Sequence, residues 1–317
     1  MPLSDWKGHL LPEEEGNSYY EEKEKNMAHS KVSEAERNKK IIIVAFLVIP
    51  VIHLLVFSYI PIITNVLWSF TNYKGVGTPK FIGLKNYQRI FTESQYIRTF
   101  KNCIWYMIVA IPQLVFAFAL AVVVNGKFRG LNLFKSILII PYLLNGVIVS
   151  TIFIIFFNNS GTLNSLLSLI GIEGPKWLQQ LNLVNPSIAS ISIWRYYGMN
   201  FIMFFGGLQT IPTELYEAAA IDGATKWQEI KYISIPSIKN VLFINILLSI
   251  SGSIQVYEIP YIMMNGSNGT VTPVIQIQQS AFSDDRLGFA AALSIVVFIV
   301  VVIAVCLQNI VTKRGED

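Results

Sequence analysis

The chain is divided into apolar runs of a length that suits a bilayer. Six of them, at about 41–64, 102–124, 136–157, 187–210, 240–263 and 288–310, reach the roughly 20 residues that a helix needs to cross the hydrocarbon layer. A water-soluble core has no place for so many separate stretches of this length. The balance of residues agrees, since 53% of the chain is hydrophobic and 14% charged, where soluble domains are about 25% charged. In lipid, backbone polar groups must be satisfied within the segment, so such spans are helical. The sequence therefore predicts an all-α integral membrane protein with six transmembrane helices. Pro50, Pro61, Pro112, Pro141 and Pro260 fall inside the runs, as kinks that neighbouring helices can accommodate.

Orientation follows from basic residues in the connections. With the N-terminus in the cytoplasm, the inner segments hold 15 of the 24 Lys and Arg residues. The outer loops at 158–186 and 264–287 carry one each. The connection at 65–101 runs against the rule with six, but "FIGLKNYQRIFTESQYIRTFKN" has the spacing of an amphipathic helix, which can lie on the outer surface. Both termini are therefore expected in the cytoplasm. The loop at 158–186 should hold a short helix near 163–170, and "MNGSNGT" should open the last outer loop as a flexible turn.

Residues 1–39 differ from the rest. They are rich in Glu and Lys with almost no aliphatic periodicity, too little apolar surface to offset the entropy of ordering. A flexible cytoplasmic tail is expected, with a matching short end at 313–317. The basic residues lie mostly in loops and tails, which argues against a nucleic-acid surface. Cys103 and Cys306 are isolated in apolar runs and read as buried thiols, and His9, His29 and His53 form no metal-ligand pattern.

One stretch between the fourth and fifth runs is polar and helix-forming: "ELYEAAAIDGATKWQEIKYISIPSIKN". Thr213 is placed to cap a first helix, and Gly223 to end it in a left-handed conformation. Thr225 and Gln228 form a capping box for a second helix, which Pro236 should stop. Ala218 and Ala219 offer a smooth face, and Glu217 and Asp222 can fix the turn or take hydrogen bonds. An ordinary inter-helix connection is far shorter. This one reads as a rigid cytoplasmic knob suited to docking in a partner's cleft.

On these residues the chain resembles the ATP-binding-cassette importer permeases, whose loop reads E-A-A, D-G-A, I-x-L-P. The match is Glu217, Ala218, Ala219, Asp222, Gly223, Ala224, Ile233 and Pro236, with Glu214 ahead of it and Ile235 where Leu is usual. The resemblance runs over roughly 41–312. "FIGLKNYQRIF", "IPYLLNGVIVSTIFIIFFNNSGTLNSLL" and "PTELYEAAAIDGA" are similar to the carbohydrate-uptake subfamily, on the side of the maltose-permease first subunit. "YEIPYIMMNGSNGT" is similar too, although the usual Gly-Gly-Gly-Pro reads GSNG.

The resemblance implies a permease domain at 40–312 with a coupling loop at 211–238, seated on an ATPase. No G-x-x-x-x-G-K-[ST] occurs here, so ATP and Mg belong to a separate ATPase dimer. It further implies a second permease subunit with its own loop, an extracytoplasmic sugar-binding protein, and a place among the lipids of the bacterial cytoplasmic membrane. The family's sugar-lining positions fall at Tyr142, Asn145 and Gly146, at Arg195, Tyr196 and Met199, and at Ser253, Gln255 and Val256. Arg195 and Glu258 stand out without the resemblance, because charge inside a span usually faces a cavity or finds a partner. Counted at 1.5 Å per residue, they lie about 12 and 8 Å below the outer surface, close enough in height to pair. A structural ion pair and a ligand contact both remain open at this point.

Other readings are weaker. A membrane sensor would carry a sizeable soluble output domain, and no stretch here is long enough. The spans lack the paired carboxylates, His cluster or Ser/His constellation of a membrane enzyme. A permease for another delivered solute, such as glycerol-3-phosphate, would favour several basic residues in the pore, and only Arg195 is there. Deleting residues 1–30 is expected to leave membrane level and transport near wild type. Loss of transport at a normal level on an immunoblot would assign the tail a binding role.

Overall fold

The computed structural model describes Glu36, residues 38–126 and residues 130–313, with side chains as far as Ile310. Most of the expected tail and residues 314–317 of the expected cytoplasmic end lie outside the described residues. Among those described, the chain is helical, and its extended pairing is a single bridge between Thr71 and Phe81.

Two units are present, Met1–Thr64 and Asn65–Asp317. The described part of the first is helical, within a helix, α1, that runs Asn38–Ser69. Side chains from Asn38 to Ile63 are exposed, isoleucines and phenylalanines included. A helix apolar on every side suits lipid or another apolar surface, not water.

The second unit holds the last residues of α1 and continues with α2 (Lys85–Thr92) and α3 (Ser94–Val123). The amphipathic segment expected before the second run is thus present as α2, which buries Ile90 against α14. The following span starts at Ser94, earlier than its apolar core suggests. Next come α4 (Leu131–Leu143), α5 (Gly146–Phe156) and the short α6 (Thr162–Leu169), the last within a residue of the helix expected at 163–170. The long α7 (Val184–Leu208) leads to the polar loop, made of α8 (Thr213–Ile221) and α9 (Lys226–Glu229). A π-helical turn, Ile230–Ser234, carries α9 into α10 (Ile235–Ser237). Then follow α11 (Lys239–Ile254), α12 (Glu258–Met264), α13 (Pro273–Phe282) and α14 (Leu287–Lys313).

Among the described residues, four helical segments are long and apolar enough to cross a bilayer: Asn38–Ser69, Ser94–Val123, Lys239–Met264 and Leu287–Ile310. The other two expected spans differ from simple rods. The third is broken, with α4 and α5 meeting at 89°. Pro141 denies the last turn of α4 a donor, Leu144 is extended, and the Asn145 side chain accepts from the Val147 N–H to start α5 afresh. The fourth, α7, is one helix but more polar, with Ser187, Ser192, Arg195 and Asn200 along it. It can carry them because it packs against α3, α4 and α11, and buries much of its length.

Two apolar clusters flank the middle of this unit. Ala117 and Ala121 of α3 pack on Phe201, Phe204, Phe205 and Leu208 of α7. Tyr106, Val149, Ile188, Ile191 and Ile259 form the other. Between α4 and α7 the approach is so close that a Cβ on Gly198 would sit 1.7 Å from the Leu138 carbonyl oxygen. Gly198→Ala is therefore expected to cost about 3 kcal/mol, read as a lower melting temperature in detergent. On the same helix Gly206 faces open space, and Gly206→Ala should not lower the melt, since Ala is preferred to Gly within a helix by about 0.5–1 kcal/mol.

The turn expected at "MNGSNGT" is present, shaped by left-handed Asn265, Gly266, Asn268 and Gly269, and α13 follows it. Two further expectations are corrected. Cys103 is buried as expected, but Cys306 is exposed, because it lies on an outward face of α14. Pro236 does not stop the second loop helix. The preceding π turn widens the coil at the point where the proline ring would otherwise meet a carbonyl, and the helix runs on to Ser237.

Candidate functional site

A cavity of about 550 Å³ opens in the second unit, bounded by α3, α4, α7, α11 and α12. Of the residues singled out in the sequence, Tyr142, Arg195, Tyr196, Met199, Ser253, Gln255, Val256 and Glu258 line it. Two do not. Asn145 is used as the cap of α5. Gly146 sits behind Glu258, where a Cβ would come within 2.0 Å of the carboxyl carbon.

The breaks in the helices make this site. Residues 255–257 leave helical geometry between α11 and α12, and Leu144 separates α4 from α5. Arg195, on the continuous α7, reaches both. Its Nη1 donates to Glu258 Oε2 at 3.0 Å, and Nη2 approaches the Leu144 carbonyl at 3.5 Å. The pairing allowed by their similar depths is thus formed. It is lopsided: the Arg195 side chain is 12% exposed and that of Glu258 46%. The guanidinium also lies over the Tyr196 ring at 5.7 Å, a cation–π contact. The Tyr142 and Tyr196 rings meet edge to face at 6.0 Å.

Several lining residues escaped the sequence reading: Tyr106, Gln113, Ser192, Asn200, Ser249 and Tyr257. The Tyr106 hydroxyl and the Asn200 amide nitrogen are buried without a hydrogen-bond partner. Their signal was present as lone polar residues in apolar runs; Gln113, 4% exposed directly after Pro112, is the clearest.

The polar loop is braced from within. The Tyr216 and Ser234 hydroxyls pair at 2.9 Å, Lys226 binds Glu229 at 2.8 Å, and the capping box of Thr225 and Gln228 is complete. Gly223 is left-handed at φ +78°. Thr213 is the first helical residue and makes no cap; Pro212 holds the cap position instead, where its fixed φ suits a helix entry. Glu214, Glu217, Ala218, Asp222, Gly223 and Pro236 are exposed, while Ala219 and Ala224 are half-buried. Ile221, Trp227 and Tyr232 stand beside them at 86%, 70% and 66% exposure, an apolar patch that the sequence reading did not include.

Long apolar helices around a polar, solute-sized cavity, with a braced polar loop outside them, define a membrane protein of the transport class. The chain belongs to the family described as binding-protein-dependent transport system inner membrane component, whose model matches residues 96–316. It is 30% identical to the "Probable ABC transporter permease protein YurN" of Bacillus subtilis (strain 168), over 88% of this chain and 99% of that one. It is 33% identical to the arabinooligosaccharides transport system permease protein AraP of the same organism, over 80% and 82%. Among solved structures, a bacterial ABC transporter involved in the import of the acidic polysaccharide alginate has the same fold, with a TM-score of 0.75 at 24% identity over 87% and 96% of the two chains.

Proposed function

We propose that this chain is one of two permease subunits of an ATP-driven sugar importer in the bacterial cytoplasmic membrane, and that oligosaccharides are its substrates. The observation that carries the proposal is the cavity. Facing tyrosine rings, amides, hydroxyls and one ion pair are the groups that bind a sugar's apolar faces and hydroxyls, and they sit at breaks in the helices, where transporters commonly build their sites. The name of the AraP relative supplies the same solute class.

In this reading residues 40–312 form the permease domain, with six crossings made by α1, α3, α4 with α5, α7, α11 with α12, and α14. Residues 1–39 and 313–317 are cytoplasmic. The loop at 211–238 is then cytoplasmic too, and its exposed face of Glu214, Glu217, Ala218 and Asp222 seats on a separate ATPase subunit that holds ATP and Mg. Closure of the ATPase dimer moves α8 and rocks the helices between inward- and outward-open states. A second permease subunit completes the pathway, and an extracytoplasmic binding protein loads it. A strain lacking this chain should lose saturable uptake of at least one labelled oligosaccharide from a panel and regain it on complementation. Unchanged uptake of every sugar, with loss of a different solute, would overturn the sugar assignment.

A further inference from the structure

The cavity's charge is arranged to a purpose that its shape alone does not explain. Of its lining residues, two are charged, Arg195 and Glu258, and they are paired at 3.0 Å. The rest are hydroxyls, amides, aromatic rings and apolar groups. The site as a whole therefore carries no net charge.

The two members of the pair are not equally presented. Arg195 is the covered partner, at 12% exposure, and Glu258 is the open one, at 46%. The carboxylate is therefore the more accessible of the two groups to a solute in the cavity. A guanidinium is the group best shaped to hold a sugar acid or a phosphate through two parallel hydrogen bonds, but here Nη1 is engaged by Glu258 and Nη2 is turned to the Leu144 carbonyl. The carboxylate's position is also fixed by its surroundings. It packs over Gly146, where any side chain would collide with it.

We infer that Glu258 determines specificity: it occupies the place an anionic group of a substrate would take on Arg195, and so restricts the pathway to uncharged saccharides, barring uronic-acid and phosphorylated ones. The exposed carboxylate accepts hydrogen bonds from neutral hydroxyls and repels like charge, which in a partly desolvated site is strongly unfavourable. This rests on the sugar reading above and adds the sign of the substrate to it.

The test uses the assembled importer purified in detergent without its binding protein, so that delivery does not set the outcome. Labelled trigalacturonate is the anionic probe, and a panel of neutral trisaccharides is the comparison. Glu258→Gln removes the charge but keeps an oxygen able to accept from Arg195. Wild type should show no saturable trigalacturonate binding, and Glu258→Gln should gain it, tighter by at least about tenfold. Glu258→Asp, which keeps the charge, should not gain it, and adding Arg195→Met to Glu258→Gln should abolish it. Trigalacturonate binding to wild type, or none to an assembled Glu258→Gln complex, overturns the inference. If that variant does not assemble, binding to the wild-type importer alone decides: saturable binding of a neutral trisaccharide with none of trigalacturonate supports the inference, and binding of trigalacturonate with comparable affinity overturns it. Binding of the uronide would leave the sugar reading standing, whereas binding of no saccharide of either kind removes both.

Discussion

Replacing Glu258 by Leu is expected to lower the amount of protein in the membrane, and replacing Arg195 by Met in the same chain to restore it. The reason lies in the unequal burial of the pair. Arg195, at 12% exposure, has its Nε without a partner and only a 3.5 Å approach to Leu144 besides Glu258. Glu258→Leu leaves that guanidinium covered and nearly uncompensated, at a cost of about 3 kcal/mol, the lower part of the range for breaking a buried pair. The reverse change is milder. Arg195→Met leaves a carboxylate that is 46% exposed and still hydrated from the cavity, so about 1 kcal/mol is expected. The double variant strands no charge. Melting temperatures in detergent and immunoblots of membranes from the four chains measure the coupling. Equal losses in the two single variants, or no recovery in the double, would show that the pair is not held as its burial implies.

That pair was accessible from the sequence because charge inside an apolar run is conspicuous and depth along a helix is simple arithmetic. What periodicity could not convey was how the helices are broken. The run at 136–157 reads as one span, since Leu, Ile and Val continue through Leu143 and Leu144. The bend comes from two local choices, Pro141 and the side-chain cap of Asn145, each too common alone to locate it. The polarity of α7 was equally ambiguous. Its serines and asparagine look like a weakened span until α3 and α4 are packed around it, after which they are interior groups. Cys306 shows the same limit, because an apolar run does not reveal which of its faces turns inward. In the loop, the motif residues were readable and the apolar ones beside them were not: nothing in the spacing of Ile221, Trp227 and Tyr232 says that all three remain uncovered.

Glu217→Lys and Gly223→Pro should each abolish transport while leaving the protein in the membrane, and the geometry of the loop says why the two effects separate. Glu217 is exposed on α8 and makes no side-chain hydrogen bond among the described residues, so its replacement disturbs little within the chain. Its effect falls on the ATPase interface proposed for this face, where breaking a charged contact costs about 2–5 kcal/mol, a thirtyfold or greater loss of coupling. Gly223 acts through the backbone. At φ +78° it lies in the left-handed region, and its N–H donates to the Ala220 carbonyl at 3.1 Å. Proline removes that donor and fixes φ near −65°, so α8 can no longer turn into α9 as it does here. The capping box of Thr225 and Gln228 and the contact between Tyr216 and Ser234 keep the rest of the loop folded, so misfolding of the whole chain is not expected. The two variants should therefore differ from wild type in ATPase co-purification and in substrate-stimulated hydrolysis, at equal membrane levels. Wild-type values of both in the Glu217→Lys complex would mean that the proposed coupling face is wrong, and the uncovered Ile221, Trp227 and Tyr232 would be the surface to alter next.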